Sequence, residues 1–563
     1  MCAAMKRVWL LLPLVLATCA APRPEAKLIH NGRIYLGEVH GGGSAWPSVE
    51  ALLVRDGKVQ AAGALAELER LAAGCERVDL RGGVALPGLQ DAHGHFEALG
   101  AALEAVDLRG CASYGELVGR VRARAAELPE GTWIEGRGWD QNLWSPPEFP
   151  HHAELSAATP DHPAILQRVD GHALLANAKA MRLALAHDPR ASESVGAGGR
   201  VLLDAEGSPT GVFIDAACEL VQRVLPPPTR EVRERRFLLA QSQLLALGLT
   251  AIHDMGIDRE GIAILHALYE RGELRVRTIA YLSGSATLDA TSVRGLPFGT
   301  GEDQLLSVVG VKLYADGALG SRGAALLEPY HDDPSHSGLL LLDREALERA
   351  VAVCARAGLQ PAVHAIGDRA NRMVLDAFER QGAIERDFRS LRPRVEHAQV
   401  VAREDWERFE ALGAIASMQP THATSDMPWA PARLGPERIV GAYAWRRLAS
   451  DPARLAFGSD FPVESPDPRL GLYAAVTCAR ADGTPSGGFL PEQRLTPTEA
   501  FAAFTLGAAR AARQDDRRGL LLPGYAADLT VFAEDPLAID PQAWLALPVR
   551  LTIVNGTIAY IAP

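Results

Sequence analysis

The stretch that decides the fold is residues 308–380, which reads VVGVKLY (308–314), a helical pattern over 344–357, PAVH (361–364) and a second helical pattern over 369–380. The two short runs are apolar without polar alternation, as is typical of strands buried on both faces. A buried strand followed by an amphipathic helix, with the pair then repeated, predicts β–α units that assemble a parallel sheet.

Similar apolar runs lie on both sides of this stretch, and helical patterns lie between them. They are GLTAIH (248–253), RVEH (394–397), AIASM (414–418) and LAFGSD (455–460). The number of units is sufficient for a (β/α)8 barrel of the TIM type, in which catalytic side chains sit at the carboxyl ends of strands. The carboxyl-terminal parts of these runs carry chemically active side chains, namely His253, Lys312, His364, His397 and Asp460. Their positions predict a functional site at one end of the barrel.

The two ends of the chain are rich in short strand patterns with turn pairs such as Asn31-Gly32 and Asn555-Gly556. We therefore expect one small β-sandwich domain formed by both chain ends. The expected organisation is a signal peptide at 1–21, the first part of the sandwich at 22–86, the barrel at 87–514 with a capping insertion at about 101–235, and the second part of the sandwich at 515–563.

The first residues predict export. Lys6 and Arg7 precede an apolar run over 8–17 that is too short to span a bilayer, and small residues follow, as in a secretory signal. The segment LATC (16–19) also resembles a lipoprotein signal, in which Cys19 is lipidated. Three alternatives stay open: a lipoprotein, a soluble exported protein, and a cytosolic enzyme with a wrongly assigned start. The expected location is the periplasm of a bacterium, or its membrane through a lipid anchor.

Composition limits the class of protein. Hydrophobic residues make up 48% and charged residues 22% of the chain, as in ordinary globular proteins. The formal net charge of −12 argues against a nucleic-acid partner. Beyond the signal region five cysteines are widely spaced and form no C-x-x-C pair, so we expect buried thiols rather than disulfides or a thiolate zinc site.

Candidate metal ligands begin with PGLQDAHGH (87–95), which places His93 and His95 two residues apart. On a strand such residues point to the same side, so both can reach one ion. Three later side chains that also end apolar runs extend this pair: His364, His397 and Asp460. Neutral imidazoles with a carboxylate suit zinc and similar divalent ions, whereas the alternative is a set of hydrogen-bonded core histidines.

Lys312 lies between Val311 and Leu313 in a strand that we expect to be buried. A buried lysine is costly unless it is paired or neutral. One interpretation is a lysine that pairs with an acid or extends to solvent. The other is a carbamylated lysine, or carboxylysine, which bridges two metal ions; burial would favour the free amine that this reaction requires.

With these residues in place, the sequence resembles the amidohydrolase superfamily, and in particular amidohydrolase family 3, the N-substituted formamide deformylase-like hydrolases. The matching segments are PGLQDAHGHF (87–96), GRGWDQNLW (136–144), VDGHALLAN (169–177), LGLTAIHDMG (247–256), VKLYADGALGSRGAAL (311–326), HAIGDRAN (364–371), RVEHAQ (394–399), FGSDFPVE (457–464) and PGYAADLTVF (523–532). The resemblance implies a metal-dependent hydrolase barrel with a β-sandwich. Gln90 departs from the apolar residue that is usual at its position.

The resemblance also implies a role for each ligand candidate. His93 and His95 would bind a first metal, Lys312 would bridge as a carbamate, and His364 and His397 would hold a second metal. Asp460 would bind metal and carry the proton from water to the leaving nitrogen. Zinc is the expected ion, and the number of ions, one or two, stays open because some members of the superfamily use one.

Further residues are weaker candidates for substrate binding. Asp316 and Asp368 follow the strands that carry Lys312 and His364, so they could orient a ligand or contact substrate, although helix caps are the alternative. His172 and Trp139, in the insertion, are candidates to line the pocket. Two arginines, Arg322 and Arg480, could bind an anionic group or only form ion pairs.

Three functions compete at this point. The first is a hydrolase of a non-peptide carbon–nitrogen bond in a small amide, formamide, N-acyl or cyclic amide. The second is an aminohydrolase, or deaminase, on the same barrel; deaminases of this superfamily usually lack the bridging lysine, so Lys312 favours the first. The third is an exported lipoprotein that only binds small molecules through a vestigial site. We expect a small-molecule substrate and no nucleic acid, with membrane contact only through an N-terminal lipid; a homodimer stays open.

Overall fold

A computed structural model describes residues 26–37, 46–168, 173–187, 199–215, 217–301, 304–448 and 455–563. Its strands are β1 (Ala26–His30), β2 (Arg33–Tyr35), β3 (Ser48–Val49), β4 (Ala51–Arg55), β5 (Lys58–Gly63), β6 (Glu76–Asp79), β7 (Val84–Pro87), β8 (Leu89–Gly94), β9 (Val106–Asp107), β10 (Ile134–Trp139), β11 (Ala164–Arg168), β12 (Ala173–Ala176), β13 (Gly199–Leu203), β14 (Pro209–Asp215), β15 (Leu249–Ile257), β16 (Arg277–Ser283), β17 (Phe298–Gly299), β18 (Leu306–Tyr314), β19 (Gln360–Ala365), β20 (Arg394–His397), β21 (Ile415–Met418), β22 (Leu455–Phe457), β23 (Leu529–Phe532), β24 (Val549–Val554) and β25 (Thr557–Ile561).

The α-helices of the described residues connect these strands or pack over them. They are α1 (Leu65–Leu71), α2 (Phe96–Glu104), α3 (Tyr114–Ala125), α4 (Ala153–Ala158), α5 (Ala178–His187), α6 (Cys218–Gln222), α7 (Arg230–Ala246), α8 (Arg259–Glu270), α9 (Arg344–Arg356), α10 (Asp368–Ile384), α11 (Trp406–Leu412), α12 (Pro420–Asp426), α13 (Ala430–Arg438), α14 (Trp445–Leu448), α15 (Pro468–Thr477), α16 (Pro497–Ala503), α17 (Leu506–Ala511) and α18 (Pro541–Trp544). No described helix combines the length and hydropathy that crossing a bilayer requires.

Eight parallel strands form the centre of the molecule, in the order β8-β15-β16-β18-β19-β20-β21-β22. A parallel bridge between Gly94 and Phe461 joins the two ends of this row, so the sheet curves into a nearly closed barrel. Its strands are buried almost throughout, which explains their continuous apolar runs. The predicted fold class, a TIM-type α/β barrel, is confirmed.

The sequence around α9 explains where this barrel helix begins and which of its faces packs on the sheet. Asp343 caps α9 by accepting a 2.7 Å hydrogen bond from the Ala346 backbone N–H. The buried residues of α9 recur at helical spacing, for example Leu347, Ala350 and Cys354, so one face of the helix packs on the sheet. The helical patterns at 344–357 and 369–380 are therefore confirmed as α9 and α10, with small shifts at their ends.

Both ends of the chain form the β-sandwich. One sheet has the order β5-β4-β1-β6, and the other has the order β25-β24-β23-β7-β2-β3. A shared core of buried side chains lies between them, including Leu52 and Val54 from the N-terminal part and Leu529, Val531 and Ile553 from the C-terminal part. The chain passes directly from β7 of the sandwich into β8 of the barrel.

The insertion forms a separate mixed sheet with the order β13-β14-β12-β11-β10-β9, covered by α3 and α4. Its strands fall between residues 106 and 215, whereas α2 and α7 pack against each other beside the barrel. Residues 1–25, which contain the predicted signal, lie outside the described part of the chain.

Candidate metal centre

The predicted ligands converge at the carboxyl ends of the barrel strands. Three of them lie near the ends of their strands, His93 in β8, Lys312 in β18 and His364 in β19, and His397 ends β20. His95 is the residue before α2, and Asp460 follows β22 by three residues. Parallel strands bring side chains that are far apart in sequence to one rim, which is where sites form in this architecture.

The seam that closes the barrel brings the first and last of these residues together. The Asp460 N–H donates a 2.7 Å hydrogen bond to the His93 carbonyl, and the His95 N–H donates a 2.9 Å hydrogen bond to the Phe461 carbonyl. Asp460 has a φ of 61°, and His397 has a φ of 73°. Non-glycine residues in the left-handed region are costly and cluster at functional sites.

A second set of contacts keeps the seam closed. The Asp91 carboxylate accepts hydrogen bonds from the Ser459 N–H and hydroxyl and from the His93 N–H, all between 2.7 and 3.1 Å. A Cβ at Gly458 would meet Asp91 Oδ1 and the His93 backbone nitrogen at 2.5 Å each, so only glycine fits there. The conformation of residues 457–460 (FGSD) therefore fixes the position of Asp460 at the seam.

Three side chains offer ligand atoms close enough to share an ion: His93, His397 and Asp460 have such atoms within 4.8 Å of one another. His95 adjoins this group, since its Nε2 lies 3.1 Å from Asp460 Oδ1. The rings of His364 and His397 are 4.6 Å apart between centroids. The structure thus brings all five of these predicted ligands into one cluster.

Lys312 completes the cluster. Its side chain is buried, and its Nζ lies 3.3 Å from His93 Nε2 and 5.3 Å from the centroid of the Tyr314 ring. Burial lowers the pKa of Lys312 to about 8, against the influence of Glu396 and Asp460, which raise it. Burial therefore makes the neutral amine of Lys312 more accessible than that of an exposed lysine.

Electrostatics of the other residues suit metal binding. Burial lowers the pKa of His93 to about 4 and that of His364 to about 3, so both imidazoles are neutral. Burial raises the pKa of Asp460, but the hydrogen bond from His95 and the nearby His93 outweigh it and lower the pKa to about 2. Neutral imidazoles and an ionised carboxylate are the forms in which these side chains bind a divalent ion.

The arrangement fits a divalent metal by a further observation. The Nε2 atom of His364 is buried without a hydrogen-bond partner in the described structure, 3.6 Å from Asp316 Oδ1. A buried polar atom without a partner is costly, and an ion would satisfy it. The residues positioned to hold one or more ions are His93, His95, Lys312, His364, His397 and Asp460.

Glu396 and Arg394 support His93 from inside the barrel, and the sequence analysis missed both. Glu396 Oε2 lies 2.7 Å from His93 Nδ1, which leaves Nε2 facing the cluster. Arg394 Nε donates a 2.7 Å hydrogen bond to Glu396 Oε1, and both side chains are fully buried. Burial raises the pKa of Glu396, but Arg394 outweighs it and lowers the pKa well below its usual value. A carboxylate behind a ligating histidine fixes its tautomer and orientation.

The segment after β21 contributes two more residues that sequence reasoning missed. Gln419 Oε1 lies 2.8 Å from His397 Nδ1, and His422 Nε2 lies 3.7 Å from Asp460 Oδ2. The signals were present: Glu396 is adjacent to His397, and QPTH (419–422) directly follows an apolar run. Sequence spacing alone does not show which polar residue near a strand end faces the site.

Asp316 and Asp368 organise loops beside the cluster. The Asp316 carboxylate accepts hydrogen bonds from the N–H groups of Ala325, Ile366 and Gly367, at 2.8 to 3.0 Å. Asp368 accepts from the Leu327 N–H at 2.8 Å. Burial raises the pKa of Asp316 to about 7, against these hydrogen bonds, which lower it. Their contact with substrate stays a prediction.

The remaining candidates lie elsewhere. Trp139 is fully buried in the insertion, where its Nε1–H donates to the Leu166 carbonyl, so the structure gives it a packing position and its role in substrate binding stays a prediction. His172 lies outside the described residues. Arg322 pairs with Asp332, and Arg480 donates to the Thr424 carbonyl.

Comparison with known proteins agrees with the fold. The sequence model of the amidohydrolase family matches residues 76–560. YtcJ of Bacillus subtilis (strain 168) is 31% identical over 527 residues, covering 91% of this chain and 96% of that protein. The N-substituted formamide deformylase of Arthrobacter pascens is 24% identical over 534 residues, covering 91% and 95%.

A solved structure has a similar backbone. The crystal structure of an uncharacterized metal-dependent hydrolase from Pyrococcus horikoshii OT3 is 31% identical to this chain and superimposes with a TM-score of 0.76. The match covers 92% of this chain and 99% of the archaeal chain. The match therefore extends over nearly the whole chain.

Proposed function

The chain belongs to the amidohydrolase family, and from that premise we propose that this metal-dependent hydrolase cleaves a non-peptide carbon–nitrogen bond in a small amide, formamide, N-acyl or cyclic amide. The name of the Arthrobacter relative, a deformylase of N-substituted formamides, supports a substrate of this kind. So does the presence of Lys312 in the cluster, because it distinguishes the amide hydrolase hypothesis from the deaminase hypothesis.

The observation that carries the proposal is the position and charge of Asp460. Its carboxylate lies between His95, at 3.1 Å, and His422, at 3.7 Å, at the carboxyl end of the barrel. Its lowered pKa of about 2 keeps it ionised at neutral pH. An ionised carboxylate at this rim can accept a proton from a water molecule and later donate it.

The reaction balances as a simple hydrolysis. Asp460 accepts one proton as the water oxygen forms a bond to the carbonyl carbon of the substrate. When the carbon–nitrogen bond breaks, Asp460 returns that proton to the leaving nitrogen, which departs as an amine. The other product is the carboxylic acid, formate in the case of a formamide.

The bound ion would supply an activated water and polarise the carbonyl group. We propose zinc as the ion, in one or two sites, held by His93, His95, Lys312, His364, His397 and Asp460. We also propose that Lys312 is carbamylated: its neutral amine would add carbon dioxide and lose a proton, which places an anionic oxygen pair near His93 Nε2. Burial of the amine, its lowered pKa and its position within the cluster support this proposal.

The test is to purify the protein, measure bound metal, and assay release of amine and acid from N-formyl and N-acyl amines. We expect Asp460→Asn to reduce kcat by roughly 10²–10⁴-fold, because the proton carrier is lost. We expect His93→Ala to lose metal. The matched control is His266→Ala on the exposed surface of α8, which should leave kcat and metal content unchanged.

Several outcomes would contradict the proposal. Full turnover by Asp460→Asn and His93→Ala would exclude this site as the reaction centre. Release of ammonia from amidine-like substrates, with none from amides, would favour the deaminase. A protein without metal or turnover would favour the binding lipoprotein. For Lys312, native mass spectrometry at neutral pH should show one added carbon dioxide that is absent in Lys312→Ala, and wild-type metal content in that variant would refute the bridge.

We further propose that the mature protein is exported, either soluble or anchored through a lipid on Cys19. Cell fractionation of the full chain and of a Cys19→Ala variant tests this. Release of the variant from the membrane fraction would support the lipid anchor. Cytosolic retention of the wild-type chain would contradict export.

A further inference from the structure

His422 lies on a helix whose two ends are fixed to the metal cluster and its surroundings. α12 begins directly after Gln419, which is bonded to His397 at 2.8 Å. It ends at Asp426, whose carboxylate accepts 2.8 Å hydrogen bonds from the Gln399 side chain and the Tyr443 hydroxyl. His422 is therefore held in place rather than carried by a free loop.

The side chain of His422 stacks on the ring of His397, with 5.9 Å between centroids, and faces the same carboxylate as the cluster through the other carboxylate oxygen. Asp460 Oδ1 lies near the cluster histidines, 3.6 Å from His93 Nε2 and 3.1 Å from His95 Nε2. Asp460 Oδ2 lies 3.7 Å from His422 Nε2. The carboxylate thus has one oxygen toward the candidate ligands and one oxygen toward His422.

His422 has an unsatisfied polar atom at this position. Its side chain is 13% exposed, and its Nε2 is buried without a hydrogen-bond partner in the described structure. The distance of 3.7 Å to Asp460 Oδ2 is too long for a hydrogen bond. Because buried polar groups are nearly always paired, this nitrogen is expected to bind a polar atom of a ligand.

We propose that His422 is a further catalytic residue, whose Nε2–H binds the oxygen of the scissile carbonyl group and stabilises the negative charge that develops there. This inference rests on the proposed function. A donor placed beside Asp460 Oδ2 contacts the carbonyl oxygen while Asp460 receives the proton from water. A fixed donor aimed at a developing oxyanion is among the strongest contributions an active site makes.

The test compares His422→Ala and His422→Gln with the wild-type holoprotein, with His266→Ala as the matched control histidine. We expect His422→Ala to lower kcat by about 10²–10³-fold with a smaller change in KM, at unchanged metal content. His422→Gln keeps an N–H donor, so part of kcat should return. Inorganic phosphate, a tetrahedral oxyanion, should bind His422→Ala at least about tenfold more weakly than wild type, because one donor is missing.

Three results would overturn the inference. Loss of metal from His422→Ala would identify the residue as a ligand. Unchanged kcat and phosphate affinity would show that it contacts neither substrate nor oxyanion, and no phosphate binding by the wild type would also count against a donor site. If the wild type hydrolyses none of the amides, the proposed function fails, but the phosphate comparison still decides the role of His422. Thermal unfolding of both variants verifies that they fold.

Discussion

The buried carboxylate of Glu396 contacts two side chains at the site, His93 and Arg394. It lies 2.7 Å from His93 Nδ1 and forms two hydrogen bonds with Arg394, at 2.7 and 3.1 Å. Arg394 also donates to His253, Tyr281, Ser417 and the Ala92 carbonyl inside the barrel. The orientation of a candidate ligand is therefore tied to the charged centre of the barrel.

Replacing Glu396 by glutamine should weaken metal binding. The substitution keeps the size of the side chain but leaves the Arg394 charge buried without its partner and removes the anion behind His93. We expect metal affinity to fall by about 10–100-fold and the free energy of unfolding to fall by roughly 3–5 kcal/mol. Competition with a chelator and chemical denaturation measure the two effects.

A matched control is Glu404→Gln, because Glu404 is exposed and pairs with Arg372 at 3.3 Å. It should change metal affinity by less than about twofold, since surface ion pairs contribute little. An equal loss of affinity in both variants, or none in Glu396→Gln, would contradict the positioning role of Glu396.

At this scale the sequence predicted more ligand candidates than supporting residues. His93 and His95 are recognisable from their spacing, and Asp460 from its position after an apolar run. Glu396 and Gln419 are not, because their function depends on which histidine nitrogen they face. That choice depends on side-chain direction across neighbouring strands, which no local pattern contains.

Among the elements, β18 and β19 and the segments that follow them form one hydrogen-bonded unit beside the site. Asp316, two residues after β18, accepts hydrogen bonds from backbone N–H groups after both strands. The Ala315 N–H donates to the His364 carbonyl at 2.9 Å, which extends the pairing of the two strands. This unit positions His364 relative to Lys312.

The substitution Asp316→Ala should loosen this unit. The N–H groups of Ala325, Ile366 and Gly367 would lose their acceptor, so their amide hydrogen exchange should become at least about tenfold faster. We expect a loss of about 1–3 kcal/mol in the free energy of unfolding, the cost of unsatisfied buried donors. Hydrogen-exchange mass spectrometry and denaturation measure both.

The control for that experiment is Asp333→Ala in the same loop region, where an exposed carboxylate accepts from Ser335. This substitution should change the free energy of unfolding by no more than about 0.5 kcal/mol. If amide hydrogen exchange at Ile366 and Gly367 were the same in Asp316→Ala and in the wild type, the hydrogen bonds to Asp316 would not stabilise these segments.

Elements with clear periodicity were predictable, and irregular ones were not. The apolar runs at 308–314 and 361–364 correspond to β18 and β19, and the helical pattern between them to α9. β16 was missed, since its sequence RTIAYLS begins with a fully buried arginine and mixes polar with apolar residues. Arg277 is buried there because its partners come from the sandwich, which a strand pattern cannot show.

On the scale of the whole molecule, one buried ion pair joins the sandwich to the barrel. Arg277 at the start of β16 donates to both oxygens of Asp528, at 3.1 and 3.0 Å, and to Asn555 at 2.6 Å. Asp528 directly precedes β23, and the Asn555 N–H donates to its carboxylate at 2.7 Å. The contact lies at the amino ends of the barrel strands, away from the metal cluster.

We expect Asp528→Ala to destabilise the protein without altering the site. It leaves the Arg277 guanidinium buried without its carboxylate, which should lower the free energy of unfolding by roughly 3–5 kcal/mol. Metal content per folded molecule should not change. Chemical denaturation and metal analysis of the purified variant measure these quantities.

Asp516→Ala is a suitable comparison, because the Asp516 side chain is 71% exposed and forms a surface ion pair with Arg517 at 3.2 Å. It should change the free energy of unfolding by no more than about 0.5 kcal/mol. Loss of metal in Asp528→Ala would show that the sandwich and the site are coupled through the barrel, contrary to this prediction.

The sequence by itself determined the α/β barrel, the β-sandwich from both chain ends and the six ligand candidates. These follow from local periodicity and from residue chemistry at strand ends. Only the tertiary structure decided that His93 and Asp460 meet across the closing seam, that Glu396 orients His93, and that His422 faces the second oxygen of Asp460. The physical reason is that barrel closure brings together residues hundreds of positions apart, and the direction of each side chain depends on its neighbours in space.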